Sequence, residues 1–514
     1  FVLYQLKKAE SNQRITRTIR RGRKLQESDL RADALNRIHQ RDEAFTEELF
    51  LERVQNGFLR TQQAWSNQDL RSCRAFISDG VHERFNLYIR MQQEENIRNR
   101  MKDVRVMQAE IVCVTSDTHF DTIHVRIIAS GISYNEDLTT GKRVGHRSDV
   151  HPIRFTEIWS FSRRPGVPTH PTASVMEGRC PNCGGTVDIV DRARCPHCDS
   201  VVNSGQYDWV LAEITQDEEW VVPPARHHVA GWQTIAQRDP GLNVQHVEDR
   251  ASVIFWRALM SVYFQDHSVA APVLHPSLTA LPKLWDRGSG RFWKTPAVGV
   301  VEVTGCQPAA NEERDRIMAL VRWSATPASG DRRKPSLLGD QRIYSHVMIL
   351  TRNADASSNA EQAFASSHCG NCGAPIEAND HRACVYCSTP LNDGSQDWVL
   401  EQVTRFDPMT IWHVEDGAEA KATDSGLPGR LETDRLLNEP ELLSALSQVL
   451  AADGKLHEKE REFITDLATR RGVPKNRLKQ IFAAAQADDA RVQLPDHPQQ
   501  ARVFMDHLIR GALI

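Results

Sequence analysis

Eight cysteines fall into two sets of four. Cys180, Cys183, Cys195 and Cys198 read C-x2-C-x11-C-x2-C, and Cys369, Cys372, Cys384 and Cys387 repeat the pattern 189 positions on. A C-x2-C turn sets two sulfurs on one side of a tight loop, and two such turns supply the four thiolates of a closed tetrahedral zinc site. Gly184 and Gly373 relax the backbone of the first turn in each set. Four protein sulfurs leave no position open for water or substrate, so the two expected zinc ions are structural rather than catalytic. Disulfides belong to oxidising compartments and need no such spacing. Cys73, Cys113 and Cys306 are expected to be small buried hydrophobes.

Each set is followed by the same exit: Asp208-Trp209-Val210-Leu211 after the first, Asp397-Trp398-Val399-Leu400 after the second. A repeated metal knuckle with a repeated exit strand implies a duplicated domain. In the first copy the period is helical from Phe45 through Val54 and Phe58 to Trp65, and a further helical stretch is expected over Leu70–Ile77. Ser78-Asp79-Gly80 caps a long helix from Val81 towards Arg100. Alternation then predicts strands at 104–114, 121–130, 155–161 and 207–214. Helices followed by antiparallel strands give an α+β domain. The second copy repeats this outline weakly, with strands expected at 298–303, 316–323 and 342–350, while Pro272, Pro276 and Pro282 interrupt its long helix. The expected organisation is a basic connector helix at 1–44, two cone-like α+β domains at 45–220 and 241–412, a linker at 413–436 and an all-α bundle at 437–514.

The chain has 514 residues and a net charge of −4, which gives no global attraction to nucleic acid. Its charge is uneven, however. Lys7, Lys8, Arg14, Arg17, Arg20, Arg21, Arg23 and Lys24 face a single acid, Glu10, behind the apolar residues Phe1-Val2-Leu3-Tyr4. Apolar residues followed by a basic cluster match the cytoplasmic edge of a membrane-spanning helix. The expectation is an anchor upstream of Phe1 and a place at the cytoplasmic face of the inner (plasma) membrane, with the basic residues against an anionic surface. The alternative is a solvated basic helix.

Residues 45–215 resemble the Tim44-like domain. The stretches that carry the resemblance are Ala64-Trp65-Ser66-Asn67-Gln68-Asp69-Leu70, Phe76-Ile77-Ser78, Arg84-Phe85 and Arg126-Ile127-Ile128-Ala129. Glu157-Ile158-Trp159-Ser160-Phe161-Ser162-Arg163 and the closing Trp209-Val210-Leu211 complete it. In that family the last two strands are neighbours joined by a short loop, so the metal ribbons (178–204 and 367–393) look like inserts in the final hairpin of each copy. A ribbon of this size has little core without its metal, and a hairpin tip tolerates insertion because its ends are already close. Residues 437–514 resemble the TerB-like (tellurite-resistance) domain through Ala451-Ala452-Asp453-Gly454-Lys455-Leu456-His457-Glu458-Lys459-Glu460. The resemblance implies weak metal contacts at Asp453 and Glu460, whereas a turn followed by a helix cap explains the same residues.

The Tim44-like resemblance implies a non-enzymatic, membrane-associated scaffold that binds protein partners, or lipid in a pocket inside the cone, with the ribbons as projecting docking elements. Two other readings stand beside it. The ribbons could bind nucleic acid, but Asp188, Asp191, Arg192 and Arg194 in the first and Glu377, Asp380, His381 and Arg382 in the second are mixed in charge, not basic. A cone-fold acid–base enzyme would draw on Asp103, Asp121 and His124, yet strand alternation sends Asp121 and His124 to opposite faces.

Overall fold

The computed structural model describes residues 33–144, 151–188, 193–217, 231–286, 290–309, 314–378, 382–406, 439–451, 458–470 and 475–485, with a few single positions besides. The chain divides into two units, Phe1–Thr404 and Arg405–Ile514. Both belong to an α+β protein with tandem domains and C-terminal helices.

In the first copy, α1 (33–41) leads into α2 (Glu47–Asn67). Thr46 caps α2 by accepting from Leu49 N, and Gln68 ends it in the left-handed region at φ 54°. The helix expected over Leu70–Ile77 shrinks to a 3-10 turn at Leu70–Ser72. The chain extends beyond it because Ile77 bridges Leu211 and the Ser78 N–H donates to Leu211 O. Ser78 then caps α3 (Asp79–Glu94).

Four long strands follow: β1 (Ile97–Ser116), β2 (Asp121–Asp137), β4 (Ile153–Arg163) and β5 (Val210–Gln216). They form an antiparallel sheet in the order β1-β2-β4-β5, with the short β3 (Arg143–Val144) on β2. β1 bulges at three places, with Asp103 at φ 53°, and this coils the sheet around α2.

The second copy has α4 (Trp232–Arg238), α5 (Val244–Phe264), β6 (Arg291–Gln307), β7 (Arg314–Ser329), β8 (Ser336–Leu337), β9 (Arg342–Asn353) and β10 (Val399–Arg405), with sheet order β10-β9-β7-β6. Its details repeat the first copy. Asn243 caps α5 and Gln265 ends it at φ 56°, each 197 positions after Thr46 and Gln68. β6 carries three bulges as β1 does, with Thr295 at φ 49°.

One element has no counterpart. Where α3 stands in the first copy, the second has a 3-10 turn at Ala271–Val273 and a proline-punctuated segment ending in Trp285. Trp285 turns inward, and its indole N–H donates to His346 Nδ1 at 3.0 Å. The α3 of the first copy covers α5 instead. Tyr88 meets Trp256 at 5.8 Å, and Arg257 donates to Glu83 Oε1 from Nε and Nη2 at 3.0 and 2.8 Å. Asp249 accepts from the Gly80 N–H at 2.8 Å. One continuous hydrophobic core therefore runs through both copies, from Phe50 and Trp159 to Trp256 and Trp323.

In the second unit α6 (Glu439–Leu450), α7 (Glu458–Arg470) and α8 (Lys475–Ala485) pack Leu443, Leu446, Ile464, Leu478 and Ile481 into a separate small core. Residues 486–514 of the expected bundle and the linker at 413–436 lie outside the described residues.

Candidate metal centres

Each ribbon sits between the last two strands of its sheet. β4 pairs with β5 and β9 neighbours β10, so the metal segment is an insert in a hairpin, as the repeated exit strand implied. Within the first ribbon, Gly184 at φ 74° closes the first knuckle, with its N–H on Cys180 O. Asp199, at φ 58°, closes the second on Cys195 O. Gly373 and Ser388 do the same in the second ribbon. The left-handed residue lets the chain fold back so that both sulfurs of a turn face one point.

The eight sulfurs gather as two sets. Cys180 and Cys198 Sγ are 3.8 Å apart and Cys183 and Cys195 Sγ 3.7 Å. The matching pairs in the second ribbon, Cys369–Cys387 and Cys372–Cys384, are at 3.7 and 3.6 Å. A tetrahedron with metal–sulfur bonds of about 2.3 Å has edges of about 3.8 Å, so each set fits one ion. The spacing is far beyond a disulfide's roughly 2.05 Å, and all of these cysteines are free.

The thiols are unequal. Hydrogen bonding by Ser200, aided by Asn182, holds Cys198 down at about 6, and Thr389, aided by Asn371, holds Cys387 at about 5. Burial pushes Cys180 and Cys369 up to about 12. Metal binding requires all four sulfurs of a set as thiolates, so it releases the protons that burial holds on Cys180 and Cys369. Cys183 and Cys372 are exposed on the rim.

The ribbons do not project, contrary to the expectation from sequence. Cys180, Val187, Val190, Cys195 and Val202 belong to the main core. Arg60 of α2 donates to Met176 O and Ser72 O and pairs with Asp188. The second ribbon is seated on the seam between the copies. Asp79, fully buried, accepts from Ser367 N, Ser367 Oγ and His368 at 2.7 Å each and pairs with Arg74. Arg257 donates to Ile376 O at 2.7 Å. The physical reason is that each ribbon carries apolar side chains that gain by leaving water, and the helices beneath supply partners for the backbone groups buried with them.

The middle of each cone is packed with aromatic side chains, while a cavity of about 500 Å³ opens between α2 and the β1–β2 ladder, lined by Leu59, Gln62, Ser66, Met101, Val104 and Tyr134. Phe58, Trp65, Phe85 and Trp159 occupy the first copy and leave a void of about 20 Å³, which is water-sized. In the second copy Trp285, Trp293, Trp323, Tyr344 and His346 stack together.

The acid–base candidates stay apart. Asp121 is buried and accepts from Arg41 at 2.7 Å and Ser116 at 2.6 Å. His124 contacts Ser160 Oγ at 2.8 Å, and burial pushes it down to about 4. Asp103 lies at a bulge about ten rungs along the β1–β2 ladder from Asp121, roughly 33 Å at 3.3 Å per residue. Glu460 stands in the first turn of α7. Asp453 and the basic residues Lys7 to Lys24 lie outside the described residues.

Sequence reasoning missed a second duplicated constellation. Arg163 pairs with Asp42 at 2.9 Å and lies over Trp209 at 4.4 Å. Arg352 pairs with Asp239 at 2.7 Å and lies over Trp398 at 4.6 Å. Each ties the head of its copy to the tryptophan of the exit strand.

No curated protein matches the chain. A solved structure, titled "Ntf2 like protein involved in plasmid conjugation", is similar over 67% of this chain and 96% of that one, at 6% identity and a TM-score of 0.16. A family model matches at residues 31–173, ending before the first ribbon cysteine, and by that match the chain carries a Tim44-like domain.

Proposed function

We propose that the chain is a non-enzymatic scaffold at the cytoplasmic face of a membrane that binds partner proteins, with one structural zinc ion in each ribbon and a TerB-like bundle at its end. The observation that carries this reading is the pair of closed four-sulfur sites, the first of them directly after a stretch that matches the Tim44-like domain. Such sites brace surfaces and offer no open coordination position for chemistry. Val385 and Tyr386, each 55% exposed at the second knuckle of the second ribbon, offer a partner an apolar contact. The basic residues Lys7 to Lys24 supply attraction to anionic lipid, on the order of 1 kcal/mol per side chain near the surface. No described helix is long and apolar enough to cross a membrane; on this reading the basic residues hold the chain to the surface.

Elemental analysis and vesicle sedimentation test the proposal. The expected result is two zinc ions per chain and co-sedimentation with phosphatidylglycerol vesicles that falls with salt and with removal of residues 1–30. Iron in place of zinc overturns the metal assignment. Sedimentation indifferent to both salt and the basic residues overturns the membrane role.

A further inference from the structure

A groove of about 350 Å³ runs along the outer face of α3. His82, Asn86, Ile89, Arg90 and Gln93 form its long wall. Their spacing of four, three, one and three places them on one helical face about 16 Å long. The 3-10 turn at Leu70–Ser72 and Val190 of the first ribbon close the other side.

The groove is rich in unused hydrogen-bonding capacity. Among the described residues the side chains of His82, Asn86 and Gln93 have no hydrogen-bond partner. Arg90 has no carboxylate partner there either. Its guanidinium stacks on Phe264 at 4.5 Å, with Nη1 on Met260 Sδ at 2.8 Å, which fixes the plane and leaves most donors free. Arg74 forms part of the floor. The one acid in the lining, Asp69, is held by Arg71 through contacts of 2.6, 2.9 and 3.1 Å. Arg71 is spent on Asp69 and Arg74 on the buried Asp79, which leaves Arg90 as the arginine of the lining with no carboxylate among the described residues. Burial pushes His82 down to about 4, so at neutral pH it brings one donor and one acceptor rather than charge.

We propose that this groove binds an extended acidic peptide segment of a partner protein. This rests on the partner-binding reading above and names the chemistry of one partner. The shape favours a peptide over a compact anion. About 16 Å holds roughly five residues of extended chain. Asn86 and Gln93, about 10 Å apart along the helix, can each donate to and accept from a peptide group. Arg90 presents a planar fork for a carboxylate, and Ile89, Leu70 and Val190 give one apolar side chain a seat. Because Val190 belongs to the first ribbon, the metal site shapes the groove wall and binding depends on it.

Fluorescence anisotropy on the full, metal-loaded chain tests this with a fluorescein-labelled decapeptide of alternating glutamate and leucine. The expected result is saturable binding that weakens with salt, a Kd raised about tenfold by Arg90→Gln and several-fold by Asn86→Ala with Gln93→Ala. Arg105→Gln, on the exposed part of β1, leaves Kd unchanged, and the lysine–leucine peptide does not bind. Thermal melting of each variant separates lost binding from lost folding. No binding by the wild-type chain overturns the proposal, as does binding that Arg90→Gln and Asn86→Ala/Gln93→Ala leave unaltered in folded protein. Arg90-dependent binding of inorganic phosphate or phosphatidylglycerol vesicles without binding of the peptide also overturns it, assigning the groove to phosphate groups. Failure here with salt-sensitive vesicle sedimentation and two zinc ions intact ends the groove and leaves the scaffold reading standing.

Discussion

The Glu83–Arg257 pair is the sharpest test of the seam between the two copies. Both side chains are under one-tenth exposed, at 7% and 8%. Arg257 bonds Glu83 twice and Ile376 O once, so it ties α3, α5 and the second ribbon together. Replacing Arg257 with Met strands a buried carboxylate, which costs about 3–5 kcal/mol. It also leaves Ile376 O without that donor, for a further ~1 kcal/mol. Converting Glu83 to Met as well removes the stranded charge. The double variant is then expected to lie within about 2 kcal/mol of wild type, giving a coupling energy of at least ~2 kcal/mol. Urea unfolding followed by tryptophan fluorescence measures the three variants, and chelator-driven metal release gives an independent readout. Arg257→Met should speed release from the second ribbon and leave the first unchanged. A single-variant cost below about 1 kcal/mol, or additivity within ~0.5 kcal/mol, would refute the idea that this pair organises the seam.

Burial raises Glu213 to about 7, Glu248 to about 8 and Asp249 to about 6. Unfolded, all three titrate near 4. The folded chain therefore holds more protons than the unfolded one across the interval between, and stability falls as pH rises through 6 to 8. Thermal melting from pH 5 to 9 should show this decline, and Glu248→Gln should flatten it; a stability that climbs over that range contradicts the assignment. Gly178 sits at φ 80°, and a Cβ there would lie 1.7 Å from Asp188 Oδ1. Gly178→Ala should destabilise the first ribbon by about 2 kcal/mol or more and accelerate its metal loss, measured against the second ribbon as an internal control. Equal release rates from both would show that the turn is not needed.

The cysteine knuckles, the exit strands and most of the strands were legible because their signals are local. A C-x2-C turn or an alternating run needs no knowledge of distant chain. The seam was not legible for the opposite reason. The helices of the two copies correspond at a spacing of 197, as Thr46 and Asn243 do, while the ribbons correspond at 189. The changed spacing hid the match of Arg60 with Arg257 and of Asp42 with Asp239. The prolines correctly marked the missing helix of the second copy, but nothing local says that α3 of the first would cover α5. The aromatic packing of the second copy was equally hidden, since Trp285 reaches it from the segment that stands where that helix would be. The ribbons' seating depends on Val187, Val190 and Ile376, which read as ordinary loop residues until their neighbours are known.

The lack of a counterpart of α3 in the second copy has a consequence for where the chain can be divided. After a duplication, two complete copies are free to be separated, reordered or deleted. Here the second copy leans on its neighbour's α3, so it has no such freedom. A fragment beginning near Gly231 would present the α5 face around Trp256 to water. The shared helix makes the pair, rather than either copy, the smallest unit that can be excised with its core covered.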